Sequence, residues 1–255
     1  MNTLLQYDLL RLEAFRNNQS IRSTISISHT PALTLLKFTP IQYFNYCIGR
    51  IESPEMLDLI RGFYADTFQH QHQVLIDSQD LVSKEVLQKS GVYQNVKRIS
   101  VMKIDPKSVK SAAVSPEIEL VRVTEDRIQE FAWLYLSCFE AENRHAESVE
   151  ENFLHKSRIP GISFFFVNFQ GNPVGISGLY SDENVQILSV GAINRSHRNL
   201  GFHKASLAHR MKICQSGKPD LPIYSWAYEG SISHQNMIKQ GMSLAQQLEV
   251  YEHVG

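Results

Sequence analysis

The chain has 255 residues, of which 43% are hydrophobic, and its formal net charge at pH 7 is −1. This hydrophobic content supplies a core for one large or two small domains and excludes a chain that is disordered throughout. The balanced charge also excludes the overall basic excess that is typical of nucleic-acid-binding proteins.

The first predicted element is an amphipathic helix over Met1 to Arg16, in which leucines are interspersed with Asp8, Arg11 and Glu13. These charges exclude the uncharged core of a secretory signal peptide, and no apolar run reaches the roughly 20 residues that span a bilayer. We therefore expect a cytoplasmic protein with no membrane partner.

The rest of the first hundred residues predicts a smaller N-terminal α/β domain. Its predicted elements are a helix opening at Pro54, a strand at His72–Ile76, a helix at Ser78–Lys89 and a strand at Arg98–Ile104. The order of helix, glycine and strand around Gly91 repeats around Gly241. This repeat suggests that the N-terminal region is a degenerate relative of the second half of the C-terminal domain, without a phosphate loop of its own, and a chance similarity is the alternative.

The segment Asp105–Glu117 contains two prolines and little hydrophobic periodicity, so it predicts a linker. We place an N-terminal domain at residues 1–105, the linker at 106–117 and a C-terminal domain at 118–255. The cysteines Cys47, Cys138 and Cys214 are far apart and odd in number. This spacing argues against disulfides and zinc binding, so we expect reduced, buried thiols and no bound metal.

Hydrophobic periodicity from Ile118 onward predicts strand, helix, helix, three strands, helix, strand, helix, strand. The predicted strands are Ile118–Val123, Ile162–Phe169, Val174–Tyr180, Val185–Ile193, Ile223–Ala227 and Leu248–Tyr251. The predicted helices follow a Thr124 cap and cover Ser148–Lys156, Phe202–Cys214 and Ser231–Gln240. Periodicity alone therefore indicates an α/β or α+β fold.

The most informative motif follows the third strand of this meander. Around Gly201 several backbone N–H groups can approach one anion, and a helix that starts there adds the positive end of its dipole. The segment from Arg195 to Lys212, which includes Arg210, contains no Asp or Glu and should be electropositive. A solvated basic helix face is the alternative interpretation.

With Arg198 and Gly201 in the spacing Arg-x-x-Gly, this segment resembles the pyrophosphate loop of the GNAT superfamily of acyl-CoA-dependent N-acyltransferases. The family loop ends in Gly or Ala, where this chain has His203. The resemblance implies a mixed, mainly antiparallel central sheet flanked by helices. It also implies acetyl-CoA as cosubstrate and a primary amine as acceptor.

The resemblance assigns the CoA site to two stretches of chain. These are Gly191, Ala192 and Ile193 beside the pantetheine arm, and Arg198, Asn199, Leu200, Gly201, Phe202, His203 and Lys204 around the pyrophosphate.

In the family, a Tyr four residues before a Gly acts as general acid. Counting back from Gly241 gives Met237, whose thioether cannot donate a proton. Tyr228 is the substitute candidate, and Tyr180 and Tyr224 are alternatives.

In the family the general base is often a Glu on the third strand of the meander, at the position that Val185 occupies here. Glu183 is the candidate because it lies two residues earlier and, on an extended chain, on the same face. A plain turn residue is the alternative. Met237 and His203 also favour a second hypothesis, a non-catalytic acyl-CoA-binding or interaction module that retains the fold. The sequence does not identify the amine acceptor, and it leaves open whether the protein forms a homodimer. Nucleic acid is not an expected partner.

Overall fold

The computed structural model describes residues 3–18, 21–39, 42–67, 71–109, 117–141 and 146–254. The helices in this part of the chain are α1 (Thr3–Arg16), α2 (Pro54–Phe63), α3 (Leu81–Ser90), α4 (Ile128–Cys138), α5 (Ala146–Ser157), α6 (Phe202–Gly217) and α7 (Ile232–Lys239). The strands are β1 (Ile25–His29), β2 (Leu33–Phe38), β3 (Tyr46–Gly49), β4 (Gln73–Asp77), β5 (Tyr93–Ile104), β6 (Ile118–Arg122), β7 (Ile162–Phe169), β8 (Asn172–Ser181), β9 (Gln186–Ile193), β10 (Ile223–Tyr228) and β11 (Ser243–His253).

The chain forms two compact units. The first unit comprises Met1–Val101, Ala227–Glu229 and Ala245–Gly255, and the second comprises Met102–Trp226 and Gly230–Leu244.

The first unit contains strands in the order β1-β2-β3-β4-β11-β5. β1, β2 and β3 pair antiparallel, and β3 pairs parallel with β4. β11 pairs antiparallel with β4, with Leu248 opposite Asp77 and Glu252 opposite Gln73. The last strand of the chain thus completes the sheet of the first unit, over a core that includes Tyr251.

The second unit contains strands in the order β10-β9-β8-β7-β6. β6 to β9 form an antiparallel meander, and β10 pairs parallel with β9. Phe131 of α4 packs on Phe153 of α5 and on Phe164 and Phe166 of β7, with ring centroids 5.0 to 5.8 Å apart. This aromatic core holds the two helices on the meander, since burying large rings is strongly favourable.

The predicted fold class is confirmed, because the sheets are mixed, mainly antiparallel and flanked by helices. The predicted strand Ile162–Phe169 has the same limits as β7, and the helices predicted after Gly201 and around Ser231 are α6 and α7. The three cysteines are free and buried, as predicted. Burial raises the pKa of the Cys138 and Cys214 thiols to about 12.

Other local predictions were wrong. Asp8, one of the charged residues of the predicted amphipathic helix, is fully buried in α1, and its carboxylate accepts hydrogen bonds from Tyr46 Oη at 2.8 Å and Arg11 at 2.9 Å. Thr124 precedes a 3-10 turn at Glu125–Arg127, and its side chain makes no capping hydrogen bond. Strands β1, β2 and β3 lie where no element was predicted.

The predicted linker begins with a 3-10 turn at Pro106–Ser108, in which the Asp105 side chain accepts a hydrogen bond from the N–H of Lys107. Gln215 Nε2 of α6 donates to the Pro106 carbonyl at 2.9 Å. Residues 110–116 of the predicted linker lie outside the described part of the chain. The boundaries at 1–105, 106–117 and 118–255 stay predictions.

Candidate functional site

A sharp turn joins the end of β9 to the start of α6. After Ile193 the chain forms a 3-10 turn at Arg195–His197, and Asn199 and Gly201 then adopt left-handed conformations with φ of 66° and 86°. Glycine adopts such a φ without the steric cost that a side chain brings. A Cβ built on Gly201 would meet no atom within 4 Å, so the turn is open at this point.

The first turn of α6 is suited to binding an anion. Gly201 is the N-cap residue and offers no side-chain hydrogen bond, so the N–H groups of Phe202, His203 and Lys204 can serve an external acceptor. Within this fully described helix the first turn has no acidic residue, and Lys204 is exposed. The helix dipole and these N–H groups together favour a phosphate-sized anion.

The Arg198 side chain fixes the turn to the end of α4. Its Nη1 donates to Glu140 Oε1 at 2.7 Å, its Nη2 to the Cys138 carbonyl at 2.7 Å, and its Nε to the Ile193 carbonyl at 3.2 Å. Arg195 also lies 3.8 Å from Glu140. Arg195 and Arg198 are therefore engaged with Glu140, and Lys204 is a further exposed cation of the predicted loop.

β9 and β10 pair at one end only and then separate. Gln186 and Ile187 of β9 lie opposite Ile223 and Tyr224. One residue further, the Ser225 hydroxyl donates to the Leu188 carbonyl at 2.8 Å, so a side chain replaces the backbone ladder. The predicted pantetheine stretch, Gly191 to Ile193, follows on β9 beyond this point and pairs with β8.

A β-bulge interrupts the pairing of β8 with β9. The register shifts between Ser177 and Leu179 of β8, so Ser189 and Val190 of β9 share the single partner Gly178. A Cβ on Gly178 would lie 2.5 Å from Ser189 Oγ and 3.1 Å from Val190 Cγ1, so a side chain at this position would displace these two side chains of β9. The bulge re-aims the backbone of β9 immediately before the predicted pantetheine stretch.

Arg210 of α6 lies against the bulge and is only 2% exposed. Its Nη1 lies 2.9 Å from the Gly178 carbonyl oxygen, 3.2 Å from that of Ser189 and 3.3 Å from that of Val190. Its Nε lies 3.4 Å from the Ser206 carbonyl oxygen. The interpretation of this residue as part of a solvated basic face was wrong, because these acceptors allow the guanidinium to be buried.

The His203 side chain extends from the first turn of α6 toward β9. Its Nδ1 lies 3.1 Å from Asn236 Nδ2 of α7, and an amide nitrogen only donates, so the ring proton is on Nε2. Nε2 lies 3.6 Å from the position that a Cβ on Gly191 would take. Burial, and then the charge of Arg210, lower the pKa of His203 to about 4, so the ring is neutral at neutral pH.

The candidate base Glu183 is exposed in the turn between β8 and β9. It precedes β9, in which Gln186 to Ser189 alone extend about 10 Å, so Glu183 is not in contact with the bulge. Asp182 organises the turn: it accepts hydrogen bonds from the N–H groups of Asn184 and Val185.

The candidate acids lie in different surroundings. Tyr228 ends β10, belongs to the first unit and is 46% exposed, and Lys97 Nζ lies 4.7 Å from its ring centroid. An open depression of about 410 Å³ in the first unit is lined by Asn95, Val96, Lys97, Arg98, Tyr228 and Glu229. Tyr180 is buried and donates to Asp182 at 2.9 Å. Met237 is buried in α7, consistent with a core residue.

The sequence did not identify Ser225, Asn236 or the role of Arg210. The burial of Arg210 could have been predicted, because it lies three residues after the apolar Leu207 and directly before Met211, on the buried face of α6. Ser225 and Asn236 act through pairings between distant segments, which a single sequence does not display.

Among the residues with described positions, no group of three or more His, Cys, Asp or Glu side chains is arranged to hold a metal ion. Within the same residues, no helix has the length and apolar character that crossing a membrane requires.

The architecture is shared with solved structures. A GCN5-related N-acetyltransferase from Kribbella flavida superposes with a TM-score of 0.65 at 13% identity, covering 96% of this chain and 96% of the other. The fold is that of the GNAT superfamily. A GNAT enzyme from Sphaerobacter thermophilus gives a TM-score of 0.66 at 11% identity, covering 92% of this chain and 84% of that chain. No protein-family model and no curated protein sequence matches the chain.

The likeness to GNAT structures is not confined to the C-terminal half. A tandem GNAT protein from the clavulanic acid biosynthesis pathway gives a TM-score of 0.60 at 11% identity, with 97% of this chain and 94% of that chain covered. Because the coverage includes the first hundred residues, the N-terminal region shares the likeness. At such low identity the comparison establishes the GNAT fold alone.

Proposed function

We propose that this GNAT-fold protein is an acyl-CoA-dependent N-acyltransferase that transfers an acetyl group from acetyl-CoA to a primary amine. The observation that carries the proposal is the open, uncapped start of α6 around Gly201, directly after the strand that separates from β10. There the N–H groups of residues 199–204 would bind the pyrophosphate, and Gly191 to Ile193 would contact the pantetheine arm. The expected location is the cytoplasm.

The reaction requires the amine nitrogen to attack the thioester carbonyl carbon. The new C–N bond forms while the carbonyl π electrons move onto oxygen, and the C–S bond then breaks to release the CoA thiolate. The amine proton passes to water, from which a chain of water molecules would lead to the candidate base Glu183, and Tyr228 is the candidate proton donor to the thiolate. Most of the acceleration would come from orientation and from hydrogen bonds to the oxygen.

A second candidate function is a non-catalytic acyl-CoA-binding or interaction module. Two observations favour it: Met237 stands buried where the family has its acid, and the His203–Asn236 hydrogen bond links α6 to α7 beside Gly191. Calorimetry with CoA and acetyl-CoA, followed by thiol release over a panel of amines, separates the two. Tight binding without turnover on any amine would establish the second candidate.

The loop assignment is tested with Gly201→Glu, which we expect to abolish acetyl-CoA binding because it adds a carboxylate where the pyrophosphate would lie. Gly171→Glu is the matched control. Gly171 also has a left-handed φ, of 80°, and open space around its Cβ position, but it lies in the turn between β7 and β8. Unchanged affinity in a folded Gly201→Glu protein would refute the loop assignment.

A further inference from the structure

Arg210 contacts three carbonyl groups that a regular sheet would not bring to one nitrogen. Successive carbonyl groups of a regular strand point to opposite sides, so those of Ser189 and Val190 would diverge. The bulge directs both toward Arg210 Nη1, at 3.2 and 3.3 Å, and the Gly178 carbonyl of β8 completes the set at 2.9 Å. The guanidinium therefore stabilises the irregular backbone of the bulge.

The same contacts fix the direction of two N–H groups. A trans peptide group is planar, and its N–H points opposite to its carbonyl. The N–H of Val190 shares a peptide group with the Ser189 carbonyl, and the N–H of Gly191 shares one with the Val190 carbonyl, so both point away from Arg210. Two successive N–H groups on one side form a concave donor pair that binds an anionic or polarised oxygen.

The charge of Arg210 strengthens this donor pair. A cation at the carbonyl end of a peptide group polarises it and makes its N–H a stronger donor. Arg210 is always charged and nearly fully buried, so water screens its field only weakly. A Cβ on Gly191 would lie 3.0 Å from Arg210 Nη2, so a side chain there would press on the guanidinium.

We propose that Arg210 is a positioning residue for acyl transfer, which holds and polarises the Val190 and Gly191 N–H groups that bind the acyl thioester oxygen. The inference rests on the proposed function. When the amine attacks, the oxygen becomes negatively charged, and the two N–H groups stabilise that charge until the C–S bond breaks. Arg210 itself contacts neither the thioester nor the amine.

The test compares the binding of acetyl-CoA, of CoA, and of ethyl-CoA, a thioether that lacks the carbonyl oxygen. We expect the wild type to bind acetyl-CoA more tightly than ethyl-CoA. In Arg210→Met the ratio of the two affinities should fall about tenfold, which corresponds to the loss of one charge-strengthened hydrogen bond. Affinity for CoA itself should persist. Isotope-edited infrared spectroscopy of acetyl-CoA labelled at the carbonyl should show a lowered C=O stretch in the wild type and a smaller lowering in the variant.

The control is Lys212→Met, which removes a cation from the same helix and should leave both readouts unchanged. If Arg210→Met does not fold, Arg210→Gln removes the charge but keeps a side-chain N–H that can donate to a carbonyl oxygen, and we expect the same loss of preference from it. A folded Arg210 variant that keeps the wild-type preference for acetyl-CoA over ethyl-CoA and the wild-type C=O stretching frequency would overturn the role of Arg210. A wild type that binds acetyl-CoA and ethyl-CoA equally well would overturn it too. A wild type that binds none of the three ligands would instead refute the proposed function, and the inference with it.

Discussion

At the scale of single residues, His203 couples the candidate site to stability. Burial, and then Arg210, lower its pKa from 6.5 to about 4. As pH falls, the unfolded chain takes up a proton near pH 6.5, whereas the folded protein resists until about pH 4. The stability associated with the neutral ring is therefore fully present above pH 6.5 and is lost as the pH falls toward 4.

This direction of the pH dependence predicts a difference in unfolding free energy between the wild type and His203→Gln. From about pH 7.5 to about pH 4.5, the wild type should lose about 2 to 3 kcal/mol more unfolding free energy than the variant, at 1.36 kcal/mol per pKa unit. Urea denaturation at the two pH values measures the difference. His29→Gln, at an exposed histidine, serves as control and should keep the wild-type slope. Equal slopes in wild type and His203→Gln would contradict the pKa argument.

The structural role of some residues could be predicted from the sequence, and that of others could not. Gly201 could be identified because a glycine after an apolar strand and before a helix has a physical reason to be there, and the structure gives it a left-handed φ. Asp8 and Arg210 could not be placed by their polarity. Both are buried because distant partners satisfy them: Tyr46 for Asp8, and the carbonyl groups of the β8–β9 bulge for Arg210.

At the scale of elements, the turn between β9 and α6 depends on Arg198 as a structural tie. Arg198→Lys retains the charge toward Glu140 but loses the fork that reaches the Cys138 and Ile193 carbonyls. We expect it to lower the unfolding free energy by about 1 to 2 kcal/mol, mostly from these two hydrogen bonds. The exposed pair with Glu140 contributes under about 1 kcal/mol.

Thermal or urea denaturation measures this loss, and calorimetry with acetyl-CoA should show weaker binding because the turn becomes less ordered. The control Arg195→Lys changes a side chain that is 82% exposed and lies 3.8 Å from Glu140, so it should behave as wild type. An Arg198→Lys protein as stable as wild type would show that the turn does not need the tie.

Elements with strong local patterns could be predicted from the sequence, and those defined by pairing could not. The aromatic run of β7 and the capped helix α7 carry their own signals. The bulge at Ser189–Val190 is a property of the register between two strands, and the separation of β9 from β10 is likewise set by pairing. Neither leaves a pattern within one strand.

At the scale of the whole molecule, the two compact units are not continuous in sequence. In the strand order of the first unit, β11 (Ser243–His253) lies between β4 and β5. A fragment of residues 1–105 therefore lacks a central strand and the buried side chains of Val250 and Tyr251. We expect this fragment to be unfolded when produced alone.

Circular dichroism and urea titration of the 1–105 fragment test this expectation, and adding a peptide of residues 243–255 should restore structure in a concentration-dependent manner. The same peptide with Val250 and Tyr251 replaced by Ser is the control and should not restore it. A fragment that unfolds cooperatively without the peptide would show that β11 is dispensable for the first unit.

The late position of β11 has a consequence for biosynthesis. The first hundred residues cannot complete their sheet until the ribosome has also synthesised β11, Ser243–His253. During that interval β4 and β5 present unpaired backbone edges, which are templates for association with other nascent chains. A product that stops before Ser243 should therefore be recognised by chaperones and proteases.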